Sequence, residues 1–310
     1  MKRTAIIPAL LIPGILSFAV WAAAQTSGQT QTPPAAGQTA PAAGAQTATP
    51  AAPAGKRPPQ AKTQPEFDAY KGAAGNTDAA AMEKAADDFA TKFPDSELRV
   101  LLYKNAMHLY QSANNAEKVE AMGRKVLAAD GDDPDALQAV ATVIAEKTRD
   151  TDIDKDQRYA DAIAMAQKSL QTIDTDIAVQ AGTPQEKIDA YKSGLRSQAY
   201  SIMGAIEYRK ENYVVAQDDL QKAIDAYPSD PTPVDVLRLA LVIDKQGTAA
   251  SDNKEKQQKL YVDALKWANK AVDMTKENTS IGTLARHERD RLQALTGGAP
   301  PAQAQTPPKN

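Results

Sequence analysis

Seven prolines decide most of what the stretch from Pro65 to Thr296 can become. They stand at Pro65, Pro94, Pro134, Pro184, Pro228, Pro231 and Pro233. Between them run only helical hydrophobic periods, with no convincing strand-type alternation. Proline fits the first turn of a helix, where its missing N–H would be unpaired anyway, and it blocks continuation of a helix that precedes it. The pattern predicts helices over 65–74, 77–92, 95–112, 115–129, 133–149, 155–173, 184–210, 213–227, 233–246, 254–275 and 279–296. Thr183-Pro184-Gln185-Glu186 has the form of a capping box, and Thr232-Pro233-Val234-Asp235 places proline and an acid in a first turn. Helices joined by short turns in this way predict stacked hairpins.

The ends of the chain read differently. Residues 1–64 and 297–310 hold 13 of the 20 prolines and no acidic residue. Lys2 and Arg3, the apolar stretch Ala5 to Val20, and Ala22-Ala23-Ala24 predict a secretory signal peptide over 1–24, cleaved before Gln25. The alternative is an uncleaved membrane anchor, since Thr4 to Ala24 is uncharged and near the roughly 20 residues that span a bilayer. Either way the chain is expected to be exported, to the periplasm or beyond. Residues 25–64 are almost wholly Ala, Pro, Gln, Thr and Gly, which bury no core, so a disordered linker is expected there. Lys56, Arg57 and Lys62 are its only charges, too few to assign it a surface. The tail 297–310 has the same composition and is expected to be disordered as well.

All 39 acidic residues therefore lie in 65–296, against 30 of the 36 basic ones, so the helical body carries −9 and is unsuited to nucleic acid. The absence of cysteine excludes disulfides, Cys-ligated zinc, thiol catalysis and lipid attachment through an N-terminal cysteine. No phosphate-binding loop, nucleophile elbow or H-E-x-x-H helix is present. His108 has no second histidine or acid at i+4, and His287 stands among surface charges, so both are expected to be structural or solvated. Asp87-Asp88, Asp130 with Asp132-Asp133, and Asp150 to Asp156 fall at helix ends and turns, where solvated acids are common. Asp150, Asp152, Asp154 and Asp156 alternate as calcium ligands do, but without the glycine turn and closing glutamate of an EF-hand. No cofactor or metal is expected, and no enzyme.

Within the body, residues 197–230 read SQAYSIMGAIEYRKENYVVAQDDLQKAIDAYPSD. Gly204 and Ala216 are small where the two helices of one hairpin would cross, and Tyr200, Tyr213 and Leu220 fill the space beside that crossing. With Met203-Gly204, Ala223 and Pro228 this unit resembles a tetratricopeptide repeat, a helix–turn–helix of about 34 residues. Glu207 stands where an aromatic is usual, and Glu211 where the turn glycine is. Looser matches are Val236, Leu239-Ala240, Ile243 and Gly247 with Tyr261, Ala264, Ala268 and Ala271, and Leu137, Val140-Ala141 and Ile144 with Tyr159, Ala162, Ala166 and Ser169. Leu102, Ala106, Leu109 and Tyr110 with Val119 and Val126 follow the same plan. The resemblance covers about 65–275 and implies an all-α solenoid, 65–296; the final helix, with Ile281, Leu284, Leu292 and Leu295 on one side and Arg286, Glu288, Arg289, Asp290 and Arg291 elsewhere, fits a solvating cap.

The resemblance further implies a concave groove lined by first helices. Matching positions are Tyr103, Met107, Tyr110, Gln138, Thr142, Ser201, Ala205, Tyr208, Arg209, Leu237, Leu241 and Lys245. Tyrosine and methionine there suit an extended peptide or a helix, while packing between hairpins is the competing role. The lysine/asparagine carboxylate clamp of some relatives has no match. The expected function is a non-enzymatic scaffold of the cell envelope that binds a protein or peptide partner. Phe93-Pro94-Asp95-Ser96 is similar to hairpin junctions in tetratricopeptide proteins of outer-membrane assembly. The alternatives are a structural spacer, an accessory factor in that assembly, and a polysaccharide-binding or hydrolytic protein.

Overall fold

Helix starts along this chain are fixed by short polar side chains that satisfy first-turn N–H groups. Thr63, Asp78, Asn115, Asp133, Thr232, Asn253 and Thr279 each accept a backbone N–H two or three residues into the following helix. In a computed structural model describing residues 55–180 and 182–297, they open α1 (Gln64–Ala74), α2 (Ala79–Lys92), α4 (Ala116–Ala129), α5 (Pro134–Lys147), α9 (Pro233–Ala249), α10 (Lys254–Asp273) and α11 (Ser280–Leu295). The others are α3 (Arg99–Ser112), α6 (Lys155–Thr172), α7 (Gln185–Arg209) and α8 (Tyr213–Ala226). Every expected helix is present, with ends within four residues of those read from sequence. Among the described residues there is no strand, only one isolated parallel bridge between Lys56 and Ala178. The expected capping box at Thr183 is not formed: its hydroxyl donates to Gln180 O at 2.8 Å, and α7 opens after Pro184 without a side-chain cap.

The helices pack in order as hairpins α1/α2, α3/α4, α5/α6, α7/α8 and α9/α10, with α11 closing on α10, and each hairpin also packs on the next. This is an all-α solenoid. First helices touch across the repeat (α1 with α3, α5 with α7, α7 with α9, α9 with α11), while no two second helices pack comparably. First helices thus approach one another more closely than second helices do, as on the inner side of a curved stack, and their shared side is called the inner face below.

Small residues set the spacing of neighbouring helices, within hairpins at Gly204 and Gly247 and between hairpins at Gly123. A Cβ on Gly204 would lie 2.8 Å from Leu220 Cγ, on Gly123 2.7 Å from Val140 Cγ2, and on Gly247 2.8 Å from the Tyr261 ring. Fully buried Ala162, Ala166, Ala216, Ala223, Ala264, Ala268 and Ala271 continue those seams along the second helices. The core forms three clusters in succession, over α1–α5, α5–α7 and α7–α11.

Two further outcomes differ from the sequence reading. The stretch 55–63, expected to belong to a disordered linker, runs in extended form against the solenoid. Lys56 pairs with Asp130 at 2.6 Å and Asp176 at 3.0 Å, and Arg57 forks onto Glu97 at 2.9 and 2.7 Å. In the closing helix, Glu288 is buried rather than solvated, held by Arg291 at 2.9 Å, while Arg291 also reaches Asp244 on α9 at 2.5 Å. The expected signal over 1–24, the linker up to residue 54 and the tail beyond Gly297 lie outside the described residues. No helix among the described residues is long and apolar enough to cross a membrane.

Candidate functional site on the first-helix face

The twelve residues matched to the groove divide by environment. Met107 is fully buried and Leu237 nearly so. Tyr103 and Tyr110 are also buried, and they point away from the inner face, into the seam between α2 and α4. Tyr103 donates to Asp87 Oδ1 at 3.0 Å under Lys125, whose Nζ lies 5.1 Å from the ring centre. Seven residues on, Tyr110 donates to Glu83 Oε2 at 2.5 Å under Lys118, 5.9 Å from the ring centre. Burial first, and the carboxylate second, push both phenols up to about 12. The helical phase read from sequence thus selects the wrong side of α3. A tyrosine can sit in an apolar seam when an acid on the next helix takes its hydroxyl, and Asp87 and Glu83 do so here.

Gln138 and Ser201 are buried connectors as well. Gln138 donates to Ser169 Oγ at 3.0 Å and Leu195 O at 2.9 Å, tying α5 to α6 and α7. Ser201 donates to Asp235 Oδ1 at 2.6 Å, across to the first turn of α9. Thr142, Ala205 and Leu241 are half-buried, and the Thr142 hydroxyl has no protein partner. Tyr208 is half-buried against the Tyr213 ring, 5.9 Å centre to centre, and burial pushes its hydroxyl up to about 12. Arg209 donates to Ala145 O at 2.5 Å, and Lys245 is exposed. Of the twelve, then, Tyr208, Arg209, Leu241 and Lys245, with Thr142 and Ala205 beside them, keep access to solvent.

The side of α3 that does face inward carries Lys104 and His108. Lys104 reaches Asp133 at 2.8 Å and Asp135 at 3.5 Å, and His108 Nε2 lies 2.8 Å from Asp135 Oδ2. Tyr191 on α7 belongs to the same cluster, since burial and then the Asp135 charge hold its phenol well above the usual range. Burial alone would push the His108 imidazole down, but the Asp135 carboxylate outweighs it and the pKa rises. Burial likewise opposes ionisation of Asp135, yet His108 and Lys104 hold it far below the usual carboxylate range. Sequence reasoning missed this group because its members are brought together by α3, α5 and α7. The acid that holds His108 is 27 residues away, not one helical turn.

Two similar groups follow along the face. Arg238 on α9 reaches Asp235 at 3.5 Å, with Arg209 of α7 and Glu146 of α5 close enough to act on its charge. Burial is the main reason that Glu146 holds its proton to higher pH than usual. The third group is Asp244 on α9 with Glu288 and Arg291 on α11, beside Tyr208 of α7. Each group joins three successive first helices.

Several acids of the runs noticed in the sequence have local work. Asp87 takes Tyr103 and Lys125, Asp88 takes Lys84, and Asp132 takes Lys168 at 2.7 Å. Asp133 caps α5 through Ala136 N, and Asp152 closes the turn before α6 by accepting Arg149 N at 2.9 Å. His287 is exposed on α11.

The class that this architecture defines is the α-solenoid of helical hairpins. Comparison with known proteins finds no family model and no curated protein that matches the chain.

Proposed function

We propose that the chain is an exported, non-enzymatic scaffold of the tetratricopeptide type that holds a protein partner, as extended peptide or helix, against its first-helix face. One observation carries the reading: a row of half-exposed aromatic and charged side chains crosses α3, α5, α7, α9 and α11. They are fixed in place before any partner arrives, His108 by Asp135, Arg209 by Ala145 O and Arg291 by Asp244. A long, pre-ordered surface favours a chain-like ligand, because little side-chain entropy remains to be lost on binding. The close contacts at Gly204, Gly247 and Tyr261 support the repeat register. The charged start, apolar stretch and Ala-rich end of residues 1–24 support export.

The test is a pull-down from cell-envelope extract with wild type and the triple variant Tyr208→Ala/Arg209→Glu/Lys245→Glu. Loss of partners with the helical signal retained is the expected outcome, and Lys245→Glu alone, at an exposed residue, should weaken recovery without moving the melting temperature. Equal recovery by both proteins would make the chain a spacer instead. Intact-mass measurement of the exported protein checks processing, with a mature chain beginning at Gln25 expected.

A further inference from the structure

Residues 55–63 have the composition of a linker and the contacts of a bound peptide. They cross the turns that join successive hairpins. Arg57 and the Gln60 N–H hold Glu97 between α2 and α3, Lys56 holds Asp130 between α4 and α5, and Lys56 also reaches Asp176 between α6 and α7. Lys62 Nζ donates to Asp95 O at 2.8 Å, and Lys56 bridges in parallel to Ala178. The match is one of charge: no acid occurs in 1–64, and three separate turns supply carboxylates.

The fit between those ends is poor. A cleft of about 640 Å³ remains between this segment, α1, the start of α3 and Ala178. Its floor is Phe67, Tyr70, Leu98 and Leu101, and Phe67 stays 43% exposed beneath it. Ala61 packs against the hydrophobic core with Pro58 and Pro59 half-buried beside it, so the segment enters the cleft with small apolar side chains alone. The Arg57 and Glu97 side chains are 60% and 44% exposed, so that pair is open to screening by salt.

We infer that this cleft is a recognition site for an extended polypeptide with basic residues flanking a large apolar one, and that residues 55–63 are its weak resident occupant. The inference rests on the protein-binding reading above and adds the partner's chemistry. A ligand of that kind keeps the carboxylate contacts and fills the volume that Ala61 leaves, whereas the resident holds its place through high local concentration.

The chain has no cysteine, so every variant can be handled without thiol chemistry. The probe is a fluorescent peptide spanning residues 54–64 with Ala61→Phe, titrated by anisotropy into full-length proteins. Lys56→Glu/Arg57→Glu releases the resident and should bind the probe at least about tenfold more tightly than wild type, because the tethered competitor is gone. Glu97→Lys/Asp130→Lys should bind it in neither low nor high salt, and binding to the released variant should fall as salt rises. Ala61→Phe within the full chain should raise the melting temperature and block the probe. The idea is overturned if the released variant, with its helical signal intact, ignores the probe, or binds equally a peptide whose basic residues are glutamates. A lower melting temperature for Ala61→Phe, with the cleft still open to the probe, overturns it independently. If the probe fails while partners still depend on Tyr208, Arg209 and Lys245, only the cleft is lost and the scaffold reading stands. Loss of both dependences would remove both.

Discussion

Two glycines on one helix, Gly194 and Gly204 of α7, should respond to alanine with opposite signs. A Cβ on Gly194 meets nothing within 4 Å, so Gly194→Ala should gain about 0.8–1.0 kcal/mol from helix propensity alone. A Cβ on Gly204 would stand 2.8 Å from Leu220 Cγ and 3.2 Å from Leu220 N. The nearest atom is a branch point rather than a flexible tip, and backbone lies close behind it, so α7 and α8 must separate. Overpacking of that kind costs about 1–3 kcal/mol, which cancels or exceeds the same propensity gain. Gly204→Leu should lie further toward destabilisation. The assay is urea unfolding followed by far-UV circular dichroism, comparing midpoints at constant slope. In a Leu220→Ala background the Cγ is gone, and Gly204→Ala should recover at least about 1 kcal/mol of its cost in the double-mutant cycle. Both alanines shifting the midpoint in the same direction by the same amount would refute the close crossing and, with it, the hairpin register.

Other expectations follow from single residues. Glu211 has φ +61° in the turn between α7 and α8, so Glu211→Gly should stabilise by about 1 kcal/mol in the same unfolding assay, and Glu211→Ala should not. Tyr103→Ala and Tyr110→Ala should each cost on the order of 3 kcal/mol, since both rings are buried between helices; a melting temperature that does not move would return them to the surface. The folded pKa of His108 lies above its ordinary 6.5, so its contribution to stability is complete below pH 6.5 and is lost as pH rises through the raised value. The depressed Asp135 acts with the opposite sign, its contribution being present above pH 3.8 and lost as acid titrates it. Melting curves above pH 6.5 should therefore decline less steeply for His108→Gln than for wild type, and parallel declines would exclude the pairing.

What was legible in the sequence is what local chemistry decides. Pro134 with Asp133, and Pro233 with Thr232, mark helix starts because capping involves residues two or three apart. Gly204 facing Leu220 and Gly247 facing Tyr261 were readable because a hairpin crossing fixes small and large residues at set offsets. The face of α3 was not readable in that way. Tyr103, Met107 and Tyr110 look like a binding stripe in one dimension, but Asp87 and Glu83 of α2 and Lys125 and Lys118 of α4 draw the tyrosines into a seam. The strap was illegible for a related reason. Lys56 finds its acids 74 and 120 residues further along, and composition alone carries no record of such pairings.

The distribution of polar groups separates two jobs within the solenoid. Inside hairpins the seams are alanine, glycine and leucine at close range, where dispersion and burial give cohesion but little discrimination between neighbouring registers. Between first helices the contacts include His108 with Asp135, Ser201 with Asp235, and Arg291 with Asp244, each partly or fully withdrawn from water. A shift of one helix along another would leave such groups unpaired, at a cost of several kcal/mol for a buried charge. Charges therefore fix how each hairpin sits on the next, and they sit on the inner face because that is where successive first helices approach. Since most of those charges are already satisfied by the solenoid itself, a partner of the kind proposed would have to be recognised by what the pairs leave over. Those are the exposed Lys245, the ring of Tyr208, the remaining guanidinium N–H groups of Arg209, and the under-filled cleft beside Phe67.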